Sequence, residues 1–287
     1  MLLLTYVSNI HFPAPHAAMA SPQYAKHLPP HAAPKWLDSG GYIALKRGSA
    51  PPPPRELCKL CEEVGAEVCF APDVPPPPDA DVITYLGTEL RNVATALSSP
   101  CPLAPVVHIH PSPAFSTALR LVVRVAEALG APLVGVGGAV PHLTAHRYAL
   151  VRAKTLEAFE AAGRVHLFGA GSPTSLMRLS LPHSVSVDWA GWTLKAAYGK
   201  VVLPGGGERH VTGEKLHKHY PVLTQQEARA LYKWLAERSH PAPPFNAFLT
   251  KLKESYSYRA EINAFVALKW YQEQHHYINK FKSTATF

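Results

Sequence analysis

The 287-residue sequence is poor in charged residues, in cysteine and in long apolar runs. Charged residues make up 17% of the chain, below the roughly 25% that is typical of soluble domains. Hydrophobic residues make up 47%, which excludes a chain that is disordered throughout. No stretch approaches about 18 consecutive apolar residues, and residues 1–10 carry no basic segment, so neither membrane insertion nor export is expected.

Only four cysteines are present, and all of them lie between positions 58 and 101. Four clustered cysteines are too few for a disulfide scaffold, so buried thiols and a reducing, cytoplasmic compartment are expected. Cys58 and Cys61 have the spacing of a zinc or redox site, but no second pair follows at finger-like spacing. A metal site built on them is therefore an alternative and not the prediction.

Acidic residues are also few, with 20 Asp and Glu against 28 Lys and Arg, a net charge of +8 when histidine is neutral. The 16 histidines add positive charge in mild acid. This excess favours a polyanionic partner such as a nucleic acid, although a solvated basic surface explains it equally well.

Short apolar segments alternate with helical segments over the first 205 residues, which is typical of βα units around a buried parallel sheet. Helices are predicted over Ala114–Leu129 and Ala145–Ala162, each followed by a glycine that can end a helix. So many units predict an α/β fold of the (β/α)₈ TIM-barrel type over residues 1–205, followed by a basic, aromatic, all-helical segment over residues 206–287. The predicted strands are Leu2–Val7, Lys35–Asp38, Glu67–Asp73, Leu103–His110, Leu133–Gly138, Val165–Gly171 and Ser184–Asp188.

Nearly every predicted strand ends in a carboxylate, a histidine or glycine, where the catalytic loops of a barrel converge. Each such residue has a local explanation as a turn or a helix cap, but an apolar strand has no structural need to end repeatedly in a carboxylate. Two carboxylates suit chemistry at a glycosidic carbon, where one attacks the anomeric carbon and the other moves a proton. These strand ends are Asp38, Asp73, His110, Gly137–Gly138, Gly169–Gly171 and Asp188.

The same segments resemble, in order, those of the tRNA-guanine transglycosylase superfamily, including its branch that puts 7-deazaguanines into DNA. The resemblance covers roughly residues 1–205 and is most specific in Asp38-Ser-Gly-Gly-Tyr42 and His166-Leu-Phe-Gly-Ala-Gly-Ser-Pro173. The other matching stretches are Phe70–Asp73, Val106–Ser112, Val134–Pro141, Ser186–Trp192 and Ala196–Gly199.

The resemblance implies a base exchange by double displacement. Asp188 looks like the nucleophile that displaces guanine from C1′ and holds the nucleic acid through its sugar. Asp38 resembles the general acid/base that protonates the departing guanine and takes a proton from the incoming base. Asp73 resembles the acceptor for the N1 and N2 donors of guanine or a 7-deazaguanine.

Further base contacts are implied by the same resemblance. Tyr42 would stack on the base, and the backbone at Gly137 and Gly138 would approach its edge. His110 stands where the family often has a glutamine that contacts the base. The exchange of one glycosidic bond for another requires no redox cofactor and no ATP.

One departure from the family concerns the substrate. Members that act on tRNA usually carry a cysteine-rich zinc site after the nucleophile, and this sequence has no cysteine beyond Cys101, so no metal is expected. Both DNA and tRNA remain candidate substrates, with DNA favoured. Lys195, Lys215 and Lys218 are candidate contacts to the nucleic acid.

Two other functions are compatible with the residues. A metal-dependent hydrolase could use His108 and His110 on one strand face together with His166 and Asp188, although the order of these ligands differs from the usual amidohydrolase barrel. A protein that binds nucleic acid or a free base without turnover is the other alternative. Retention of both Asp38 and Asp188 argues against it.

Overall fold

The structure is a computed structural model that describes residues 1–211 and 221–284. It divides into two compact units. The first comprises residues Met1–Asn9, Ala14–Gly171 and Ser175–Trp189, and the second comprises Ile10–Pro13, Ser172–Thr174 and Ala190–Phe287.

The first unit contains eight parallel strands in one sheet, with the order β4-β3-β2-β1-β8-β7-β6-β5. The predicted α/β fold of the TIM-barrel type is therefore confirmed. In chain order, the strands are β1 (Leu2–Tyr6), β2 (Ala17–Ala20), β3 (Lys35–Leu37), β4 (Val68–Cys69), β5 (Val106–His108), β6 (Val134–Gly137), β7 (Val165–Leu167) and β8 (Val185–Trp189).

The strands at the two ends of this order, β4 and β5, are also joined to each other. The bridge between them lies just after β4 and just before β5. Phe70 pairs with Ala104, whose N–H donates to the Cys69 carbonyl at 2.7 Å. The Ala71 N–H donates in turn to the Ala104 carbonyl at 2.8 Å. The sheet thus curls until its edges meet, and all the carboxyl ends of its strands face one end of the unit.

Helices follow most of these strands. They are α1 (Gly41–Arg47), α2 (Pro54–Val64), α3 (Val82–Leu97), α4 (Ala114–Leu129), α5 (Ala139–Thr144), α6 (Tyr148–Ala162) and α7 (Pro173–Leu179). Gly130 and Gly163 end α4 and α6 in the left-handed conformation, as the sequence predicts. The interior of the sheet is filled mainly by apolar side chains, among them Trp36, Phe70 and Leu133.

Strand β2 was not predicted from the sequence. Its residues, Ala17–Ala20, are alanines and one methionine, which have no β preference that would separate them from a loop or helix. They are buried because they pair with β1 on one side and β3 on the other.

The expectation of free thiols is wrong. Cys58 pairs with Cys101 and Cys61 with Cys69, so that all four cysteines form disulfides. The fold brings them together, because Cys58 and Cys61 lie one turn apart on α2, which precedes β4. The inferred reducing compartment rests on free thiols and so loses that support.

The second unit is mainly helical, with helices α8 (Gly191–Ala197), α9 (Gln225–Ala236), α10 (Phe245–Glu254) and α11 (Tyr256–Thr284). It also contains an antiparallel pair of strands, β9 (Lys200–Val202) and β10 (Glu208–His210). Strand β10 corrects the prediction that residues 206–287 are all-helical. Among the described residues, no helix is both long and apolar enough to cross a membrane.

Candidate active site at the carboxyl ends of the strands

Asp188 lies near the end of β8, buried, with its carboxylate held by hydrogen bonds. The Thr5 hydroxyl of β1 donates to Oδ2 at 2.7 Å, and the Gly169 N–H donates to Oδ1 at 2.6 Å. His166 Nε2 lies 3.4 Å from Oδ1. Burial alone would raise the pKa of Asp188, but the nearby His166, the Gly169 amide and the Thr5 hydroxyl together hold it below its usual value.

Two glycines that follow β7, Gly169 and Gly171, donate main-chain hydrogen bonds to Asp188. Gly169 adopts φ +69°, which directs its N–H at the carboxylate. The Gly171 N–H donates to the Asp188 carbonyl at 2.9 Å, and a β-carbon on Gly171 would lie 2.7 Å from that carbonyl oxygen. The Gly-Ala-Gly sequence therefore serves to place an aspartate.

Asp38 directly follows β3 and is held differently. Ser21 Oγ donates to its Oδ2 at 3.0 Å, and the Ser39 N–H donates to Oδ1 at 2.8 Å. Burial, followed by the negative charges of Asp73 and Asp188, raises the pKa of Asp38 to about 7 despite these hydrogen bonds. The structure thus brings the three predicted aspartates near enough to interact electrostatically.

Asp73 follows β4 and is part of a buried chain of side chains. Its Oδ2 lies 2.8 Å from His108 Nε2, and His108 Nδ1 lies 2.8 Å from Glu89 Oε1. Burial alone would lower the pKa of His108, but the charge of Glu89 and the bonds to both carboxylates raise it to about 10. His108 is therefore an imidazolium between two carboxylates at neutral pH.

Sequence reasoning missed Glu89 and gave His108 a different role. Glu89 lies on α3, away from any strand end, and is 1% exposed. Tyr85, Glu89 and Asn92 recur at the helical spacing i, i+4, i+7 and are all buried. That polar stripe is the signal that the sequence did contain.

Two of the predicted base contacts have different surroundings. Tyr42, on α1, is 50% exposed, with Lys46 Nζ 4.6 Å from its ring centre. His110 is buried with both ring nitrogens engaged: Nε2 lies 3.0 Å from the Ala80 carbonyl and Nδ1 lies 2.7 Å from Ser112 Oγ. The Tyr42 ring is accessible to a base, whereas His110 binds the loop at Ala80.

Gly137 and Gly138 lie at the end of β6. A β-carbon on Gly137 would lie 2.6 Å from His108 Cδ2, so glycine is needed there to admit the imidazole. Gly138 adopts φ +72° and is the residue directly before α5. The steric demand of His108 is thus a second reason for glycine at 137, besides the predicted approach of a base.

Of the predicted nucleic-acid contacts, Lys195 lies on α8 in the second unit. Lys195 Nζ forms an ion pair with Glu208 Oε2 at 2.8 Å. Lys215 and Lys218 lie outside the described residues. The charge of Lys195 is therefore partly compensated within its own unit.

The side chains proposed for a metal-dependent hydrolase are used otherwise. Both ring nitrogens of His108 contact carboxylates, and both of His110 contact other groups. Within residues 1–211 and 221–284 no group of three His, Cys, Asp or Glu is arranged to hold a metal ion. Comparison of the chain with protein-family models and with curated proteins gives no match.

Proposed function

We propose that this protein is a guanine transglycosylase that exchanges guanine in a nucleic acid for a free 7-deazaguanine through a covalent aspartyl-sugar intermediate. The observation that carries the proposal is the contrast between two neighbouring carboxylates. The pKa of Asp38 is raised to about 7, while that of Asp188 is held below its usual value. Carboxylates whose environments separate their pKa values in this way suit an acid and a nucleophile.

Asp188 is the nucleophile in this proposal. It is ionised at neutral pH, and its hydrogen bonds to Thr5 and Gly169 fix its orientation. Attack of one carboxylate oxygen on C1′ forms the aspartyl-sugar bond as the bond to guanine breaks. Attack of the incoming base on C1′ then releases Asp188.

Asp38 moves the proton. With a pKa of about 7 it is protonated in a large fraction of molecules at neutral pH, and it can give that proton to the departing guanine. The resulting carboxylate then takes a proton from the incoming base. Asp73, held by His108, is the acceptor for the paired N–H donors of the base.

The polymer is DNA or tRNA, and the absence of any cysteine after position 101 favours DNA. The net charge of +8 suits either phosphate backbone. The contacts of His108 and His110 weigh against the metal-dependent hydrolase. The raised pKa of Asp38 favours a catalytic role over binding without turnover, because strongly shifted pKa values cluster at catalytic sites.

The test is the incorporation of radiolabelled guanine into duplex DNA and, separately, into unmodified tRNA. Incorporation into one polymer that is lost in Asp188→Asn supports the proposal and identifies the substrate. The matched control is Asp79→Asn, because Asp79 lies in an exposed loop of the same unit. Incorporation into neither polymer, or equal incorporation by Asp188→Asn, would contradict it.

A further inference from the structure

The side chains of Asp73, His108 and Glu89 form a buried hydrogen-bonded chain. Of these three residues, only Asp73 is expected to touch a base. The exposed fractions of the three residues are 7%, 2% and 1%. Both ring nitrogens of His108 lie 2.8 Å from a carboxylate oxygen. Burial of two carboxylates is costly unless a cation compensates them, and the imidazolium does so here.

Helix α3 fixes this chain at several points along one face. Glu89 Oε1 also accepts the main-chain N–H of His108 at 3.1 Å, and the Tyr85 hydroxyl donates to the His108 carbonyl at 2.7 Å. Asn92 bonds both the N–H and the carbonyl of Val74, the residue after Asp73, at 2.9 and 3.1 Å. The helix therefore holds the end of β5 and the segment after β4 in register with one another.

The geometry leaves Asp73 with one oxygen occupied. Oδ2 accepts from His108, and Oδ1 lies on the side of Gly41, 2.9 Å from where a β-carbon of that glycine would stand. The bond at Oδ2 restrains the rotation of the Asp73 carboxylate and leaves the lone pairs of Oδ1 for a ligand. A base with two adjacent N–H donors is best recognised by an acceptor carboxylate that is held in place in this way.

We propose that Glu89 is a positioning residue for base recognition, which acts through His108 to hold the Asp73 carboxylate in place for a guanine-type base. This role rests on the proposed function, because it assigns the ligand of the same site. Glu89 touches neither the base nor the sugar. It selects for bases that present paired N–H donors, and against adenine, which lacks the N1–H.

Glu89→Gln tests the role, because the amide oxygen can still accept from His108 while the charge is lost. We expect the KM for guanine to rise roughly tenfold with kcat changed less than about twofold, since only the acceptor is disturbed. Equilibrium dialysis with radiolabelled guanine should show the same factor in Kd. The control is Glu157→Gln, because Glu157 on α6 bonds to Lys154 and Ser116 and is not hydrogen-bonded to Asp73, His108 or Glu89.

A second measurement does not depend on activity or on the folding of a variant. In ¹⁵N spectra of the wild-type protein, His108 should be an imidazolium at pH 8, where an ordinary histidine is neutral. A neutral His108 at pH 8, or a Glu89→Gln protein with unchanged Kd for guanine, would overturn the proposal. If Glu157→Gln raised the KM for guanine as much as Glu89→Gln does, that result would also overturn the proposal.

The two proposals fail differently. Wild-type protein that binds guanine without exchanging it would refute the transglycosylase function, while a weaker Kd in Glu89→Gln would still support the positioning role. Wild-type protein that binds neither guanine nor a 7-deazaguanine would refute both.

Discussion

Gly41 lies against the main chain of Asp73, so close that a β-carbon on Gly41 would stand 2.1 Å from the Asp73 carbonyl oxygen. Gly41 begins α1, directly after the segment that carries Asp38. The glycine thus packs the loop of the proposed acid/base against the loop of the proposed base acceptor. The relationship explains why the second glycine of Asp-Ser-Gly-Gly-Tyr stands next to a carboxylate from a different strand.

Gly41→Ala should therefore disturb both loops at once. We expect a loss of about 2–4 kcal/mol in the free energy of unfolding, because backbone must move to admit the methyl group. Gly87→Ala is the control: no atom lies within 4 Å of its β-carbon position in α3, so we expect a gain of about 0.5–1 kcal/mol. Urea denaturation measures both, and equal effects of the two substitutions would contradict the packing described.

Asp38→Asn should change how stability depends on pH. The pKa of Asp38 rises from 3.8 to about 7 on folding, so the folded state binds the proton more tightly than the unfolded state. Its contribution to stability is full below the lower value and is lost as the pH rises through the higher one. We expect the variant to gain about 4 kcal/mol relative to the wild type between about pH 4 and about pH 8.

Chemical denaturation of both proteins across that range checks this prediction. Parallel stability curves would show that Asp38 is not a buried carboxyl with a raised pKa. Exchange activity should be lost in the variant at every pH, because an amide cannot carry the proton.

Thr5→Val should weaken the hold on Asp188. Valine keeps the shape of threonine and removes the donor to Oδ2, so the pKa of Asp188 should rise and its orientation should loosen. We expect kcat to fall roughly tenfold, or about 1.4 kcal/mol, and the acid limb of the pH profile to move toward neutrality. Thr5→Ser retains the hydroxyl and should stay near wild type; a loss in serine equal to that in valine would point to packing instead.

The two disulfides should differ in their effect on stability. The Cys58–Cys101 bond closes a separation of 43 residues and the Cys61–Cys69 bond one of 8. The loop-entropy relation gives about 4 kcal/mol for the first and about 2.5 kcal/mol for the second. Thermal denaturation of Cys58→Ser/Cys101→Ser and Cys61→Ser/Cys69→Ser checks the order, and thiol labelling of the wild type without reductant should find no reactive cysteine.

Much of the fold could be predicted because buried parallel strands leave a simple pattern of short apolar runs that end in polar residues. Asp38, Asp73 and Asp188 follow such runs and lie where the barrel predicts. Ala17–Ala20 left no such pattern, because its burial comes from neighbouring strands and not from the character of its own side chains.

The buried Glu89 face of α3 was missed because the helix reverses the usual amphipathic rule. Its exposed side carries Ile83, Leu90 and Leu97, whereas Tyr85, Glu89 and Asn92 face inward. Hydrophobic periodicity alone would therefore bury the wrong face. The polar face of α3 is buried because it binds His108, and the position of His108 is set by β5.

The covalent intermediate tests the central claim most directly. Protein incubated with an oligonucleotide substrate and quenched in denaturant should carry the mass of the oligonucleotide less guanine, and peptide mapping should place it on Asp188. Asp188→Asn should carry no adduct, and Asp38→Asn should carry less because guanine departs without its proton. Base exchange with no adduct, or an adduct on another residue, would contradict the assignment of Asp188 as the nucleophile.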